Sequence, residues 1–246
     1  DEIDSLDPAM AVLLESGNVL RDMYEGLTRI GANLAPVPGV AERWEVSPDG
    51  LEYIFYLRAN ACWSNGDPVT ARDLVSSWRR PVDPKTGAAQ ANLRDSVVNA
   101  AEIVRGSKPI ESLGIAARDD RTVVVKLRAP APFFPLTVAH WSLLPTYRGE
   151  PPHDSRNVVS NGAFMLTRRT AGSDLELRRN SKYWNDAATR LEAVRYFDIA
   201  DTNSEYARYR AGELDVTLNL PMTTLEQLRA KHGNAVRVTP SLAIYY

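Results

Sequence analysis

The stretch PGVAERWEVSPDGLEYIFYLRANACWSNGDPVTARDLVSSWRR, Pro38 to Arg80, carries a series of local signals that agree with one another. Arg43 to Val46 reads as a short strand, and Ser47-Pro48-Asp49-Gly50 supplies the residues of a tight turn. Leu51 to Arg58 alternates strongly enough to be the antiparallel partner, so the spacing predicts a hairpin. Leu51, Tyr53, Phe55 and Leu57 share one face and Glu52, Ile54, Tyr56 and Arg58 the other. The first face is the one expected to be buried. Ser64-Asn65-Gly66-Asp67-Pro68 reads as a loop, because it combines turn formers with a proline that has no N–H for a ladder. Thr70 then N-caps a helix, with Asp73 three residues on near its positive end and Leu74, Val75 and Trp78 as an apolar stripe.

Working outward, 246 residues are enough for one large or two modest domains with an ordinary core. A hydrophobic content of 44%, a charged content of 24% and a mean hydropathy of −0.30 exclude a disordered or membrane-embedded chain. No run approaches the ~18 apolar residues of a membrane span. A net charge of −2 with both signs interspersed gives no field that would gather nucleic acid or an anionic membrane. The single cysteine, Cys62, excludes an internal disulfide and reads as a small buried apolar residue beside Trp63. The first residue is Asp rather than Met, which reads as a processed or trimmed chain.

Upstream of the hairpin, Pro8 marks a turn, and a helix is expected from Glu15 to Tyr24 with Val19, Leu20 and Met23 on one side, Gly26 ending it or permitting close packing. Downstream, Arg80 to Gln90 reads as a loop interrupted by Pro81, and Leu93 to Val104 as a weak amphipathic helix. Leu113 to Ala117 and Arg121 to Arg128 form a second hairpin around Arg118-Asp119-Asp120, with Val123, Val125 and Leu127 on one face. Ala129 to Pro135 leads into a short helix, and Tyr147 to Asp154 is the best candidate for a domain boundary. A strand from Asn161-Gly162-Ala163-Phe164 pairs with Asp174 to Arg178, and Leu191 to Phe197 is a further strand. A helix over Ser204 to Arg210 is stopped by Gly212, and Leu214 to Leu218 is the next strand. A helix from Pro221 to Lys231, ending near Gly233, precedes last strands at Val236 to Val238 and Leu242 to Tyr246.

No catalytic constellation is present. His140, His153 and His232 lie in separate segments without the spacing of a metal site. Asp119-Asp120 belongs to a turn, Asp1-Glu2-Asp4 to a solvated terminus, and Gly66, Gly106 and Gly162 are single turn glycines rather than a phosphate loop. Trp44, Trp63, Trp78 and Trp184 read as structural. The chain is expected not to be an enzyme and to need no cofactor or metal.

These pieces, in order, resemble the bacterial extracellular solute-binding proteins of family 5, the peptide-binding components of ABC importers. The resemblance rests on the whole Pro38 to Arg80 signature and on Ser5-Leu6-Asp7-Pro8 followed by the helix through Asn18 to Leu27. It is extended by Gly106-Ser107-Lys108-Pro109 leading to Leu113-Gly114-Ile115, by Arg179-Asn180-Ser181-Lys182-Tyr183-Trp184, by Arg210-Ala211-Gly212-Glu213-Leu214-Asp215, and by Tyr245-Tyr246. It implies an α/β, periplasmic binding protein-like fold (class II, cluster C) with mixed sheets. Residues 1–28 and 150–246 would form a discontinuous lobe I and residues 29–149 an inserted lobe II. The chain covers only the first half of a family member and stops inside an apolar strand, which reads as a truncation with the third lobe absent.

The function so implied is capture of oligopeptides for the membrane subunits of an ABC importer, in the periplasm or on the outer face of the cell if lipid-anchored. Neither nucleic acid nor direct membrane insertion is expected. A binder of many sequences holds its ligand by main-chain β-augmentation, and the resemblance places such edges at Val12, Leu13 and Leu14 and at Tyr245 and Tyr246. Gln90 and Asn92 would face the cleft. The family's aspartate for the peptide amino terminus would fall in the absent lobe. The alternatives are a relative for another solute (dipeptide, murein peptide, nickel or haem) and a truncated form acting as an interaction or chaperone-like surface.

Overall fold

The computed structural model describes residues 3–152, 158–218, 220 and 225–237. The chain divides into two compact units, Ile3–Phe197 and a smaller one spanning Asp198–Tyr246 together with the first two residues. The first unit opens with α1 (Leu14–Met23) and the short antiparallel pair β1 (Thr28–Ile30) and β2 (Pro36–Pro38). β3 (Ala41–Val46) and β4 (Glu52–Leu57) are the predicted hairpin, and β5 (Ile115–Asp119) and β6 (Thr122–Lys126) the second. They join into one antiparallel sheet in the order β3-β4-β6-β5. A three-stranded antiparallel sheet follows from β7 (Phe164–Thr170), β8 (Asp174–Arg179) and β9 (Ala193–Phe197). The architecture is mixed α/β, and every described strand pairing is antiparallel.

The four-stranded sheet buries the face that alternation selects. Tyr53, Phe55, Leu57, Val123, Val125 and Leu127 are all nearly inaccessible, while Leu51, at the turn, is half-buried. Across that face lies α2 (Ala71–Val82), whose Leu74 and Trp78 are fully buried. The Thr70–Asp73 capping box closes in both directions: the Asp73 amide donates to Thr70 Oγ1 at 3.3 Å, and the Thr70 amide to Asp73 Oδ2 at 2.8 Å. α4 (Phe134–Thr137) is the short helix expected after the proline-rich segment, and its Phe134 packs edge-on to Trp78. The Met23 carbonyl accepts from the Gly162 amide at 2.8 Å, and a Cβ at position 162 would lie 2.6 Å from the Met23 backbone. Only glycine permits that approach.

Several sequence expectations are corrected. α2 runs through Pro81 to Val82 instead of stopping at Arg80. In the last turn a proline forfeits one ladder bond, and burial of Pro81 and Val82 outweighs that loss. The helix expected over Leu93 to Val104 is a 3-10 turn at Ala91–Arg94 and a five-residue α3 (Ala100–Val104), separated by Asn99 at φ +67°. Between them Val98 donates to the Lys126 carbonyl and accepts from Gly114, so β-branched residues join the sheet margin in place of a weak helical stripe. Cys62 is half-buried rather than buried, because it bridges to Pro68 beside the loop. Asp4 is exposed, as expected of the terminus, and its carboxylate also accepts from the Val12 amide at 2.9 Å and from the Ser16 hydroxyl.

In the smaller unit, α5 (Thr202–Arg210) is N-capped by Asp201, and Gly212 at φ +77° follows its end. α6 (Leu225–His232) occupies part of the predicted Pro221 to Lys231 helix, and Pro221 lies outside the described residues. Tyr206 Oη lies 2.9 Å from His232 Nε2. Leu214 to Leu218 does not form a strand. Instead the Thr217 hydroxyl and Leu218 amide both donate to Glu205 Oε1, at 2.6 and 3.0 Å. Val236 is not in a strand either, and Val238 and everything after it lie outside the described residues.

Candidate functional site

Asp7 organises the chain before α1. The Met10 and Ala11 amides donate to its carbonyl at 3.0 Å, and its carboxylate receives Arg80 in a two-bond fork at 2.8 and 2.5 Å. The turn delivers a short extended strip. Ala11 is buried, whereas Met10, Val12, Leu13 and Leu14 expose 41%, 45%, 38% and 58% of their surface. Four apolar side chains turned to solvent beside a fully buried helix face form a patch of the kind that binds something.

Leu13 is extended and Leu14 is the first residue of α1. Asp4 occupies the Val12 amide, and the Leu13 carbonyl accepts from Gly17 at 3.0 Å as the helix begins. Among the described residues the Val12 carbonyl and the Leu13 amide have no hydrogen bond. These two groups belong to one trans peptide and point to opposite sides, so an incoming main chain pairs with one of them.

Trp141 is the back of the strip. Its indole N–H donates to the Ala11 carbonyl at 3.2 Å, and its ring lies against Gly17, where a Cβ would sit 2.6 Å away. The Arg21 guanidinium covers the ring at 4.9 Å, and His140 lies 3.9 Å from it, centroid to centroid. The Ser142 amide donates to His140 Nδ1 at 3.2 Å, so the neutral imidazole carries its proton on Nε2. The Ser142 carbonyl in turn accepts from Arg94 Nη2. Arg94 is the last residue of the 3-10 turn that follows Gln90, so the chain Ala11, Trp141, Ser142, Arg94 links the predicted strip to the predicted cleft loop. Gln90 is half-buried with its Oε1 unpartnered among the described residues, and Asn92 is exposed. Tyr245 and Tyr246 lie outside the described residues.

Sequence reasoning did not single out Arg94, Trp141 or Ser142. An arginine among the small and apolar residues of ANLRDSVV was the available signal. Burial, with Arg21 and Arg94 nearby, lowers the His140 pKa from 6.5 to about 4. Above pH 6.5 His140 is neutral in both folded and unfolded chains and its contribution to stability is complete. As the pH falls from 6.5 towards 4 the unfolded chain takes up a proton that the folded one refuses, and stability is lost, by no more than about 3 kcal/mol. Asp22 and Glu25, raised by burial, act in the opposite direction. The measurement is therefore the difference between wild type and His140→Gln in urea midpoint across pH 4 to 7, which we expect to shrink on acidification.

A second cluster fixes the other end of α1. Glu25 is 3% exposed, and its carboxylate accepts from the Tyr183 hydroxyl and the Trp184 indole, each at 2.5 Å, with Arg29 Nε at 3.1 Å. Arg58 lies over the Trp184 ring at 3.7 Å. Burial pushes the Glu25 pKa up, and these donors and cations pull it back. The Asn161 side chain brackets the Glu25 backbone, accepting from its amide at 3.0 Å and donating to its carbonyl at 2.9 Å. Among the described residues, no three His, Cys, Asp or Glu side chains are grouped to hold a metal, and no helix is long and apolar enough to cross a membrane.

Residues 35–246 match the family described as bacterial extracellular solute-binding proteins, family 5 (middle). The chain is 38% identical to the periplasmic oligopeptide-binding protein OppA of Salmonella typhimurium over 254 aligned residues, which span all of this chain and 47% of that protein. It is 36% identical to the periplasmic murein peptide-binding protein MppA of Escherichia coli, again over all of this chain and 47% of the relative. Among solved structures, Haemophilus influenzae OppA in complex with the peptide RPPGFSPFR superposes with a TM-score of 0.90 at 37% identity, covering 94% of this chain and 47% of that one. The unliganded open form of MppA gives a TM-score of 0.89 at 35% identity, covering 94% and 46%. The chain thus belongs to the family 5 extracellular solute-binding proteins, with their periplasmic binding protein-like fold. It spans about half the length of the curated relatives it matches.

Proposed function

We propose that this chain is part of a periplasmic oligopeptide-binding protein that delivers peptides to the membrane subunits of an ABC importer, performing no chemistry of its own. The observation that carries the reading is the exposed apolar strip at Val12 to Leu14, where the peptide between Val12 and Leu13 leaves its carbonyl open on one side and its amide on the other. It is the kind of edge a peptide main chain pairs with regardless of sequence. Family membership and relatives named for oligopeptide binding support it. The proposed lobes, residues 1–28 with 150–246 and residues 29–149, are supported by the hold of the N-terminal segment on the three-stranded sheet and on the loops before β7 and between β8 and β9. Besides Glu25 and Gly162, Arg169 Nη2 donates to the Ile3 carbonyl at 2.9 Å and the Tyr196 hydroxyl to Asp22 at 2.7 Å. Tyr245 and Tyr246 complete the proposed main-chain site, with Gln90 and Asn92 towards the cleft.

The strip alone binds weakly on this view. Micromolar affinity corresponds to about −8 kcal/mol, and each main-chain hydrogen bond contributes a net ~0.5 to 1.5 kcal/mol. One such bond on an open surface does not offset the cost of association. We expect the 246 residues by themselves to bind a short peptide with a millimolar dissociation constant or weaker, and a sub-micromolar value in calorimetry would refute that expectation. The test of the function is native mass spectrometry of the intact protein taken directly from the periplasm. A spread of short peptide masses supports the proposal; one recurring non-peptide mass moves the assignment to another solute.

A further inference from the structure

Five buried side-chain atoms have no hydrogen-bond partner among the described residues: Arg79 Nε, Arg80 Nε, Gln90 Oε1, Arg94 Nε and Arg94 Nη1. All fall between the end of α2 and the 3-10 turn after Gln90. Arg94 is the extreme case. It is 1% exposed, one of its donors reaches the Ser142 carbonyl, and no carboxylate among the described residues lies within ion-pair distance of it. Asp7 answers the charge of Arg80, but the charge that acts on Arg94 is Arg80 itself, of the same sign. An unpaired buried cation is expensive and is retained where something negative meets it.

The surroundings indicate where that negative group comes. From Arg94 the contacts run through Ser142 to His140 and Trp141, and from Trp141 to the Ala11 carbonyl at the back of the exposed strip. Arg21 lies on the same tryptophan, and His140 keeps its Nε2–H as a further donor. Asp7 pairs with Arg80, Asp4 accepts from Val12 and Ser16, and Glu15 sits in the first turn of α1, where the helix's positive end offsets it. One side of the strip is therefore electropositive, and protein interior behind it screens that field poorly.

We infer that Arg94, with Arg21 and His140, forms a carboxylate-selecting wall beside Ala11 to Leu14, so that the preferred ligand is a peptide that sets a carboxylate against it. This rests on the peptide reading above and narrows it. The carboxylate has two sources, an acidic side chain or the peptide's C-terminus. A free anion is the competing occupant.

The test is calorimetry on the intact protein with Ala-Ala-Ala, the three tripeptides carrying one Glu in place of Ala, and the C-terminal amide of each. We expect at least one carboxylate-bearing peptide to bind about tenfold or more tighter than Ala-Ala-Ala amide, as charge-assisted hydrogen bonds do. The preferred Glu position identifies a side chain, and loss of preference on amidation identifies the C-terminus. Arg94→Met should abolish the preference; should that variant not fold, Arg21→Gln and His140→Gln should each reduce it. Neutral amides bound as tightly as acidic peptides would overturn this inference while leaving peptide capture standing, as would an acid preference that survives these substitutions. Acetate or chloride raising the thermal midpoint of wild type but not of Arg94→Met, without any acid preference among peptides, would overturn it in favour of a free-anion site. Binding of no peptide at all would overturn both readings.

Discussion

Replacing Glu25 by Ala should destabilise the Ile3–Phe197 unit by about 3 to 5 kcal/mol, the usual effect of breaking a buried charged network by removing one member. The carboxylate is almost inaccessible, and its loss strands the hydroxyl of Tyr183, a buried residue, and the Trp184 indole N–H. Arg29, 45% exposed, recovers most of its hydration and adds little. Glu25→Gln should lose less. Its carbonyl still accepts one donor, while its amide faces a second donor unless the Tyr183 hydroxyl rotates to accept. The bonds from Asn161 go to the Glu25 backbone and survive both changes. Urea denaturation of wild type, Glu25→Ala and Glu25→Gln gives the order directly. Equal midpoints for the three would show that the network is satisfied by water and holds nothing together.

Glu25 also shows what the sequence made legible and what it did not. Tyr183-Trp184 and the Glu25-Gly26-Leu27 end of the first helix were both visible as parts of the family resemblance, but 158 positions separate them, and nothing local states that one motif bonds the other. The hairpins were readable because period-two alternation is a property of adjacent residues: Tyr53, Phe55 and Leu57 are buried as their spacing demands. Failures came where a distant partner decided. Ser96-Val97-Val98 follows the sheet margin because β6 is there to receive it, whereas Leu214 to Leu218, equally strand-like in sequence, finds Glu205. At the candidate site, Val12 to Leu14 came from position within the resemblance alone. The wall behind it was hidden because Trp141 reaches Ala11 only across 130 residues of chain, and Arg94 joins it through Ser142, 48 residues away.

Asp73 is where a local sequence signal and a long-range one coincide, and Asp73→Ala should cost about 3 to 4 kcal/mol. As a capping residue it was legible from Thr70, and the loss of a cap accounts for about 1 kcal/mol. The structure adds two donors that a cap does not explain. The indole N–H of Trp63, a fully buried residue, reaches Asp73 Oδ2 at 3.2 Å, and the Arg148 amide reaches Oδ1 at 3.2 Å. Each donor left unsatisfied away from water costs about 1 to 3 kcal/mol. The aspartate thus ties the loop before α2 and the 3-10 turn at Tyr147–Gly149 to the first turn of one helix, and Trp63 packs edge-on to Tyr147 across the junction, 5.6 Å between centroids. Asp73→Asn separates the contributions. With its oxygen placed at Oδ2 it keeps Thr70 and Trp63 and turns its NH2 towards the Arg148 amide, so it should lose only about 1 to 2 kcal/mol. A double-mutant cycle with Trp63→Phe completes the argument, since the phenyl ring fills much of the space but has no N–H to strand. If Asp73→Ala costs no less in the Trp63→Phe background than in wild type, the indole bond contributes nothing, and the aspartate acts only as a cap and as the anchor for Arg148.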